Sequence, residues 1–243
     1  MLLRKLFFCG VLALFALHPG AAPAVTVSWD FAGGLDHSNF TYSTNSNVTL
    51  TDTAGELQLT KPAQWSGSNL IQGGYIRPNF LLQGNFDVQV DYKINATPLN
   101  DGVAIHMELW NPYSYLARAN DNGQGQTYYV YRDPPRAYYG GRSTPDNQGT
   151  FRAVRSGGTV TFYEKASGAP SWTTIYTDSS FGSQDIHFDL AVQDSQYATP
   201  YAKSFDASFD NLRVTADSLS GYSPVPLPPT ALLLGSGLLG LVG

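Results

Sequence analysis

Cysteine is nearly absent from this sequence, and its absence limits the chemistry that the protein can perform. The single cysteine, Cys9, lies inside an apolar run near the N-terminus. The rest of the chain therefore has no thiol for a disulfide, a thiolate metal site or a cysteine nucleophile. A phosphate-binding glycine loop, a nucleophile elbow and a dinucleotide-binding fingerprint are also missing, so these enzyme classes have no support in the sequence.

Basic residues are scarce as well, with 14 against 19 acidic residues. Arg4 and Lys5 belong to the N-terminal segment, so its removal would leave 12 basic and 19 acidic residues and a net charge of −7. Such an acidic chain lacks the positive patch with which proteins bind nucleic acid. Its aromatic and glycine-rich composition is instead typical of an extracellular β protein.

The N-terminal segment has the three parts of a secretory signal peptide. Arg4 and Lys5 give it a positive start, residues 6–17 are apolar, and Ala22-Pro23-Ala24 is a small-residue cleavage site. Twelve apolar residues would form a helix of about 18 Å, whereas a bilayer core is about 30 Å thick. The sequence predicts that residues 1–24 are a signal peptide cleaved after Ala24; the alternative is an N-terminal membrane anchor.

The C-terminal segment, residues 220–243, contains a proline-rich run followed by an apolar one. Residues 224–229 are stiff and unable to join a sheet. Residues 231–243 are apolar and carry no charge. As a helix this run would span about 20 Å, which is short for a transmembrane helix. A generic C-terminal anchor is one interpretation of this pattern.

The same tail resembles the PEP-CTERM sorting signals of Gram-negative bacteria. The resemblance rests on the proline motif and on the Leu/Gly-rich run 232–241, although the family's glutamate and its basic cluster after the helix are missing. It implies transient insertion into the inner membrane, processing by an exosortase, and delivery to the cell surface, often alongside exopolysaccharide. The motif residues are Val225, Pro226, Leu227, Pro228 and Pro229.

Residues 25–219 predict one all-β domain. Residues 86–94 alternate apolar and polar side chains at every position, as expected of a half-buried antiparallel strand. Residues 149–155 and 159–165 flank Ser156-Gly157-Gly158 and predict a β-hairpin. No stretch sustains an apolar helical period over ten residues. Short strands between turn clusters predict an antiparallel β-sandwich.

This domain also resembles the concanavalin A-like lectin/glucanase jelly rolls. The resemblance is carried by GTFRAVRSGGTVTFYEK at 149–165, by the following Trp172, and by SFDNLRV at 208–214. It implies two packed antiparallel sheets and a concave face on which related domains hold sugars. A shared fold does not fix function, so the site has to be argued from its own residues.

An aromatic, solvent-facing surface is the first candidate site. If the strands at 103–110, 126–132, 149–155 and 159–165 are neighbours, their outward side chains share one face. Aromatic rings match the apolar faces of sugars, and Glu, Arg and His supply oriented hydrogen bonds. Alternatively, the tyrosines simply pack across strands. The predicted ligand-binding residues are His106, Glu108, Trp110, Tyr129, Tyr131, Arg152 and Tyr163.

Glycoside hydrolysis is the second candidate activity. It needs two carboxylates, about 5 Å apart for retention or about 6.5–9.5 Å apart for inversion. The body contains three glutamates, Glu56, Glu108 and Glu164, and no Glu-x-Asp-x-x-Glu run. Glu108 is a weak catalytic candidate without a recognisable partner, and a glutamate on a binding face is the simpler interpretation.

Calcium is the third candidate ligand. Asp101 and Asp121 stand in loop clusters of the oxygen-bearing residues that calcium favours. The same residue types are ordinary in turns, which is the alternative interpretation. Zinc is not predicted, because His37, His106 and His187 show no paired spacing. No other cofactor is predicted.

The sequence therefore predicts an exported surface or matrix protein whose jelly-roll domain binds polysaccharide without catalysis. One alternative is a glycoside hydrolase or lyase on the same fold, and another is a structural matrix protein that acts through protein contacts. The predicted partners are a glycan, an exosortase-type enzyme and, transiently, the inner membrane. No nucleic-acid partner is predicted.

Overall fold

The computed structural model describes residues 24–45, 47–53, 55–63, 72–96, 102–120, 125–194 and 204–222. The predicted signal peptide up to residue 23 and the sorting motif at 225–229 lie outside these residues, as do Asp101 and Asp121. Over the described ranges, no helix is long and apolar enough to span a bilayer.

The described residues form fifteen β-strands joined by turns and loops. Most strands alternate buried and more exposed side chains, because successive residues of a strand point to opposite faces. The strands are β1 (Val25–Trp29), β2 (Phe40–Thr44), β3 (Thr49–Thr53), β4 (Glu56–Lys61), β5 (Gln72–Pro78), β6 (Leu81–Ile94), β7 (Val103–Trp110), β8 (Tyr113–Asn120), β9 (Gln126–Asp133), β10 (Ala137–Ser143), β11 (Gln148–Ser156), β12 (Thr159–Ala166), β13 (Thr173–Asp178), β14 (His187–Asp194) and β15 (Phe205–Ser220).

These strands make two sheets that pack face to face. Sheet 1 has the order β13-β12-β11-β6-β15-β4-β3, and β1 also pairs with β15. Sheet 2 has the order β10-β9-β8-β7-β14-β5-β2. Their strand pairings are antiparallel. The predicted antiparallel β-sandwich is therefore confirmed.

Two local predictions are confirmed with it. Residues 86–94 lie within the long strand β6, where every second side chain is buried. β11 and β12 pair continuously from Gly149↔Ala166 to Ser156↔Thr159. The two central glycines thus form the turn of the predicted hairpin.

The hydrophobic core lies between the two sheets. Sheet 1 contributes side chains such as Val88 and Val90, and β7 of sheet 2 contributes Ile105, Met107 and Leu109, all of them fully buried. Because side chains alternate along a strand, the residues between these core positions point to the outer face of each sheet. The two outer faces are therefore where a site can be built.

One edge of the sandwich is closed by contacts between β10 of sheet 2 and β13 of sheet 1. The rings of Tyr139 and Tyr176 stack there with centroids 4.2 Å apart. Gly140 has a φ of +74°, and a Cβ at this position would overlap the carbonyl oxygen of Ile175. The close approach of the two edge strands thus depends on a glycine in the left-handed region.

Candidate functional site

The outer face of sheet 2 carries six aromatic side chains from four adjacent strands. Alternation places them there, since neighbouring residues such as Leu109, Leu116 and Val130 are buried in the core. Tyrosine and tryptophan are also residues that strands favour. We call this group the aromatic array: Trp110, Tyr113, Tyr115, Tyr129, Tyr131 and Tyr138.

Rings of the aromatic array touch one another across the strands. The centroids of Trp110 and Tyr113 are 4.7 Å apart, those of Tyr115 and Tyr131 are 5.1 Å apart, and those of Tyr131 and Tyr138 are 5.0 Å apart. Three strand spacings, about 14 Å, separate β10 from β7. Trp110 is 38 % exposed and Tyr138 is 60 % exposed. The array is thus an elongated strip that is open to solvent at both ends.

A polar cluster adjoins the Trp110 end of the array. Arg77 on β5 donates hydrogen bonds of 2.7 and 2.6 Å to the two carboxylate oxygens of Asp189 on β14. Trp110 Nε1 donates to Asp189 Oδ2 over 2.9 Å. The Arg77 guanidinium carbon lies 5.0 Å from the ring centroid of Tyr75 and 5.4 Å from that of Trp110. Asp189, whose side chain is 1 % exposed, therefore fixes the orientation of both Arg77 and Trp110.

Glu108 lies directly opposite Asp189 in the pairing of β7 with β14. The Tyr113 hydroxyl donates a 3.3 Å hydrogen bond to Glu108 Oε1. Burial, and then the negative charge of Asp189, raise the pKa of Glu108 to about 7, against the opposing effects of Tyr113 and Arg77. Near neutral pH this carboxyl group is therefore protonated for part of the time, next to a second carboxylate held by Arg77.

His106 lies beside Glu108 on the same face but is closed to solvent. It is 0 % exposed, and its ring packs edge-on against Tyr115 with centroids 4.9 Å apart. Its Nδ1 lies 3.4 Å from Glu108 Oε1, yet neither ring nitrogen has a hydrogen-bond partner in the described part of the chain. Burial lowers the pKa of His106 to about 3, so the ring is neutral. The expectation that His106 contributes to a solvent-exposed face is wrong, because its neighbours cover it.

A depression of about 160 Å³ opens beside Trp110. Gly73 and Ala191 line it, and their small size leaves the space open. A Cβ at Gly73 would come within 2.6 Å of the carbonyl oxygen of Val192, so the close approach of β5 to β14 requires glycine here. The polar part of the lining includes Asn45, Glu108, Asp189 and Gln193.

The seven predicted binding residues do not share one surface. β11 and β12 belong to sheet 1, so Arg152 and Tyr163 lie on the opposite side of the sandwich from β7 and β9. The prediction that these four strands are neighbours is therefore wrong, because the chain passes from sheet 2 to sheet 1 between β10 and β11. Five of the seven belong to the outer face of sheet 2: His106, Glu108, Trp110, Tyr129 and Tyr131. Of these, His106, Glu108 and Tyr129 are buried, whereas Trp110 and Tyr131 are at least partly exposed.

Arg152 and Tyr163 belong to a separate cluster on the outer face of sheet 1. Arg152 donates hydrogen bonds of 2.9 and 2.6 Å to the two carboxylate oxygens of Asp87. Its guanidinium carbon lies 5.6 Å from the ring centroid of Tyr163 and 5.1 Å from that of Trp172. Lys165 approaches the same Trp172 ring, with its amino nitrogen 5.0 Å from the centroid.

Two residues of the site, Asp189 and Arg77, were not predicted from the sequence. Asp189 stands in the run HFDLAVQD, where an acidic residue between apolar ones is unusual in a strand buried this deeply. This pattern identifies Asp189 but does not predict its contacts, because its hydrogen-bond partner Trp110 lies 79 residues away in the sequence. The other body glutamates, Glu56 and Glu164, lie on β4 and β12 of sheet 1 and do not reach this pair. Glu56 instead lines a depression on sheet 1 together with Asp91 and Asp210.

Metal-ligating side chains do not cluster in the described ranges. No group of three or more histidine, cysteine, aspartate or glutamate residues there could hold a metal ion. The two loop aspartates named as calcium candidates are outside these ranges.

Comparison with known proteins gives a family and a fold. A family model described as the C domain of a protein of unknown function, DUF1583, matches residues 21–233. The chain belongs to the DUF1583 C-domain family. No curated protein gives a significant sequence match to it.

Solved structures similar to this DUF1583 C-domain protein share its fold at low sequence identity. A GH43 protein from Bacillus licheniformis is 14 % identical with a TM-score of 0.56; the match covers 78 % of this chain and 39 % of that one. Lectin I from Ulex europaeus, in complex with the methyl glycoside of α-L-fucose, is 9 % identical with a TM-score of 0.54 and coverages of 82 % and 99 %.

A β-1,3-glucanase from Mycobacterium marinum is also similar, at 13 % identity and a TM-score of 0.54, with coverages of 77 % and 97 %. The DUF1583 C-domain chain thus spans well under half of the GH43 protein but nearly all of the lectin and the glucanase. At these identities the likeness establishes the concanavalin A-like jelly-roll fold, and function has to be argued from the site.

Proposed function

We propose that this protein binds polysaccharide, without catalysis, on the outer face of sheet 2. The observation that carries the proposal is the continuity of the aromatic array with a depression lined by polar side chains. The exposed rings at the ends of the array, Trp110 and Tyr138, offer apolar surfaces to sugar rings, and the depression offers oriented donors and acceptors to their hydroxyl groups. The fold is shared with a lectin and a glucanase, which supports a carbohydrate ligand.

Trp110 is the residue on which we expect binding to depend most. It is the exposed ring at the junction of the array and the depression, and its indole N–H is held by Asp189. A ring fixed in this way loses little conformational freedom when a ligand stacks on it. We therefore expect Trp110→Ala to weaken binding about tenfold, as for a central aromatic contact.

The test is affinity electrophoresis of the protein in gels containing laminarin, xylan or galactomannan. Trp172→Ala is the matched control, because Trp172 also contacts an arginine but lies on the outer face of sheet 1. Retardation lost in Trp110→Ala and kept in Trp172→Ala supports the proposal. Equal retardation of both folded variants and the unchanged protein would rule out this face.

Glycoside hydrolysis is the second candidate function, favoured by the Glu108–Asp189 pair. A carboxyl group with a pKa near 7 beside an ionised carboxylate is the arrangement that glycosidases use for general acid catalysis. Against it, both oxygens of Asp189 accept hydrogen bonds from Arg77 or Trp110, and its side chain is 1 % exposed. Release of reducing ends from these polysaccharides, abolished in Glu108→Gln, would favour hydrolysis over binding alone.

The sequences at the two ends of the chain support a proposal about where the protein is located. We propose export through a signal peptide cleaved after Ala24, and sorting to the cell surface or matrix through the proline motif at 225–229 and its exosortase-type partner. Surface fractionation of cells that express the full chain tests this, with Pro226→Ala and Pro228→Ala as variants. A purely structural matrix role remains the alternative if no glycan binds.

A further inference from the structure

The depression beside Trp110 is lined by acidic and neutral side chains. Glu108 and Asp189 supply its two carboxyl groups, and Asn45 and Gln193 supply its amides. No lysine or arginine lines it among the described residues. A negatively charged ligand group placed here would meet two carboxyl groups and no free cation.

Arg77 is the nearest basic side chain of the cluster, and it is already paired. Its Nε and Nη2 donate hydrogen bonds of 2.7 and 2.6 Å to Asp189, and its side chain is not part of the lining of the depression. Its faces lie against Tyr75 and Trp110. The charges of Arg77 and Asp189 therefore offset each other. The net charge beside the depression then depends on the protonation state of Glu108.

Two titratable groups that face Glu108, His106 and Tyr113, are neutral. His106 on β7 is neutral because burial lowers its pKa, and Tyr113 on β8 is neutral because burial raises its pKa. His187 on β14 stands opposite Trp110 in the strand pairing, one row away from Glu108. Glu108 is thus a group in the lining of the depression whose charge changes near neutral pH.

We propose that this depression selects a neutral pyranose unit and rejects a uronate, which rests on the proposed glycan-binding function. A protonated Glu108 donates a hydrogen bond to a sugar hydroxyl, and an ionised Glu108 accepts one, so neutral sugars are compatible with both states. An ionised Glu108 instead repels a uronate carboxylate, and no cation in the described lining of the depression compensates this repulsion. Rejection of uronates should therefore strengthen as the pH rises.

The test uses hexasaccharides that differ only at C6: β-1,4-mannohexaose against hexamannuronate, and cellohexaose against hexaglucuronate. Tryptophan fluorescence titration of the full chain at pH 5.5 and 8.5 measures each affinity. We expect the neutral member of a pair to bind at least tenfold tighter at pH 8.5, with a gap several-fold smaller at pH 5.5. Glu108→Gln should remove most of the pH dependence of that gap.

A second variant keeps the proposal testable if Glu108→Gln folds poorly. Gln193→Lys adds a cation to the rim and should raise uronate affinity about tenfold, whereas Thr174→Lys, on β13 of sheet 1, should leave it unchanged. A uronate that binds the unchanged protein as tightly as its neutral partner would overturn the specificity while leaving glycan binding intact. No binding of any hexasaccharide by the folded chain would overturn the proposed function itself.

Discussion

The two outer faces of the sandwich each carry an arginine clamped by an aspartate and flanked by two aromatic rings. On sheet 2, Arg77 pairs with Asp189 beside Tyr75 and Trp110. On sheet 1, Arg152 pairs with Asp87 beside Tyr163 and Trp172. In both cases the hydrogen bond to the aspartate is the main cause of a raised arginine pKa.

What differs is the surroundings of each pair. The Asp189 side chain is 1 % exposed, whereas that of Asp87 is 26 % exposed. Asp189 also faces Glu108 across the strand pair and holds the indole of Trp110. A local motif of arginine, aspartate and aromatic rings therefore does not define a site by itself. The burial of Asp189 and the carboxyl group of Glu108 directly opposite it distinguish the pair on sheet 2.

The largest expected difference between the faces is in the pH dependence of stability. Glu108 has an ordinary pKa of 4.5 and a folded-state pKa of about 7, so the folded state binds its proton more tightly than the unfolded state does. The stability from this proton is fully present below pH 4.5 and is lost as the pH rises through 7. At 1.36 kcal/mol per pKa unit the loss is about 3 kcal/mol.

Urea unfolding at pH 4.5, 6 and 8.5 measures this difference. The stability of the protein relative to Glu108→Gln should fall across that range, while the titration of His106 affects both proteins and cancels. Asp210→Asn is the control on the face of sheet 1, where burial also raises a carboxyl pKa but to a smaller extent. If the difference in unfolding free energy between the unchanged protein and Glu108→Gln does not vary with pH, then Glu108 is not held in its protonated form.

The second test compares the two clamping aspartates. Asp189→Ala leaves the Trp110 indole N–H and a partly buried guanidinium group without their acceptor, which should cost about 2–3 kcal/mol of unfolding free energy. Asp87→Ala breaks a more exposed pair and should cost about 1 kcal/mol or less. Thermal and urea unfolding of both variants provide the comparison. Equal losses would mean that the two pairs are equivalent and that burial does not distinguish them.

The smallest expected effect is on glycan affinity when each arginine becomes lysine. Lysine keeps the charge but cannot form the two parallel hydrogen bonds of the guanidinium group. In Arg77→Lys the Trp110 ring loses its flat cationic neighbour, and we expect affinity to drop about threefold, as for a partly exposed cation–π contact. Arg152→Lys should leave affinity unchanged. A loss of glycan affinity in Arg152→Lys but not in Arg77→Lys would indicate that the glycan binds on sheet 1.

Much of the sandwich could be predicted because strand alternation is a local property. Residues 86–94 and the hairpin at 149–165 have patterns that need no distant partner, and the structure has both. The outward orientation of Glu108, Trp110, Tyr129 and Tyr131 follows from the same period of two. The face of β7 that carries Glu108 and Trp110 could therefore be predicted from the sequence.

The sequence by itself thus determined the fold class, the strand faces and the abundance of aromatic residues on them. Tertiary structure decided which strands became neighbours: it placed Arg152 and Tyr163 on the other sheet, covered His106, and set Asp189 against Glu108. These outcomes depend on pairing between segments far apart in the chain, such as β7 with β14, whose register is not encoded in either segment alone. The raised pKa of Glu108 follows from the same pairing, because burial and a neighbouring charge exist only once the sheet has formed.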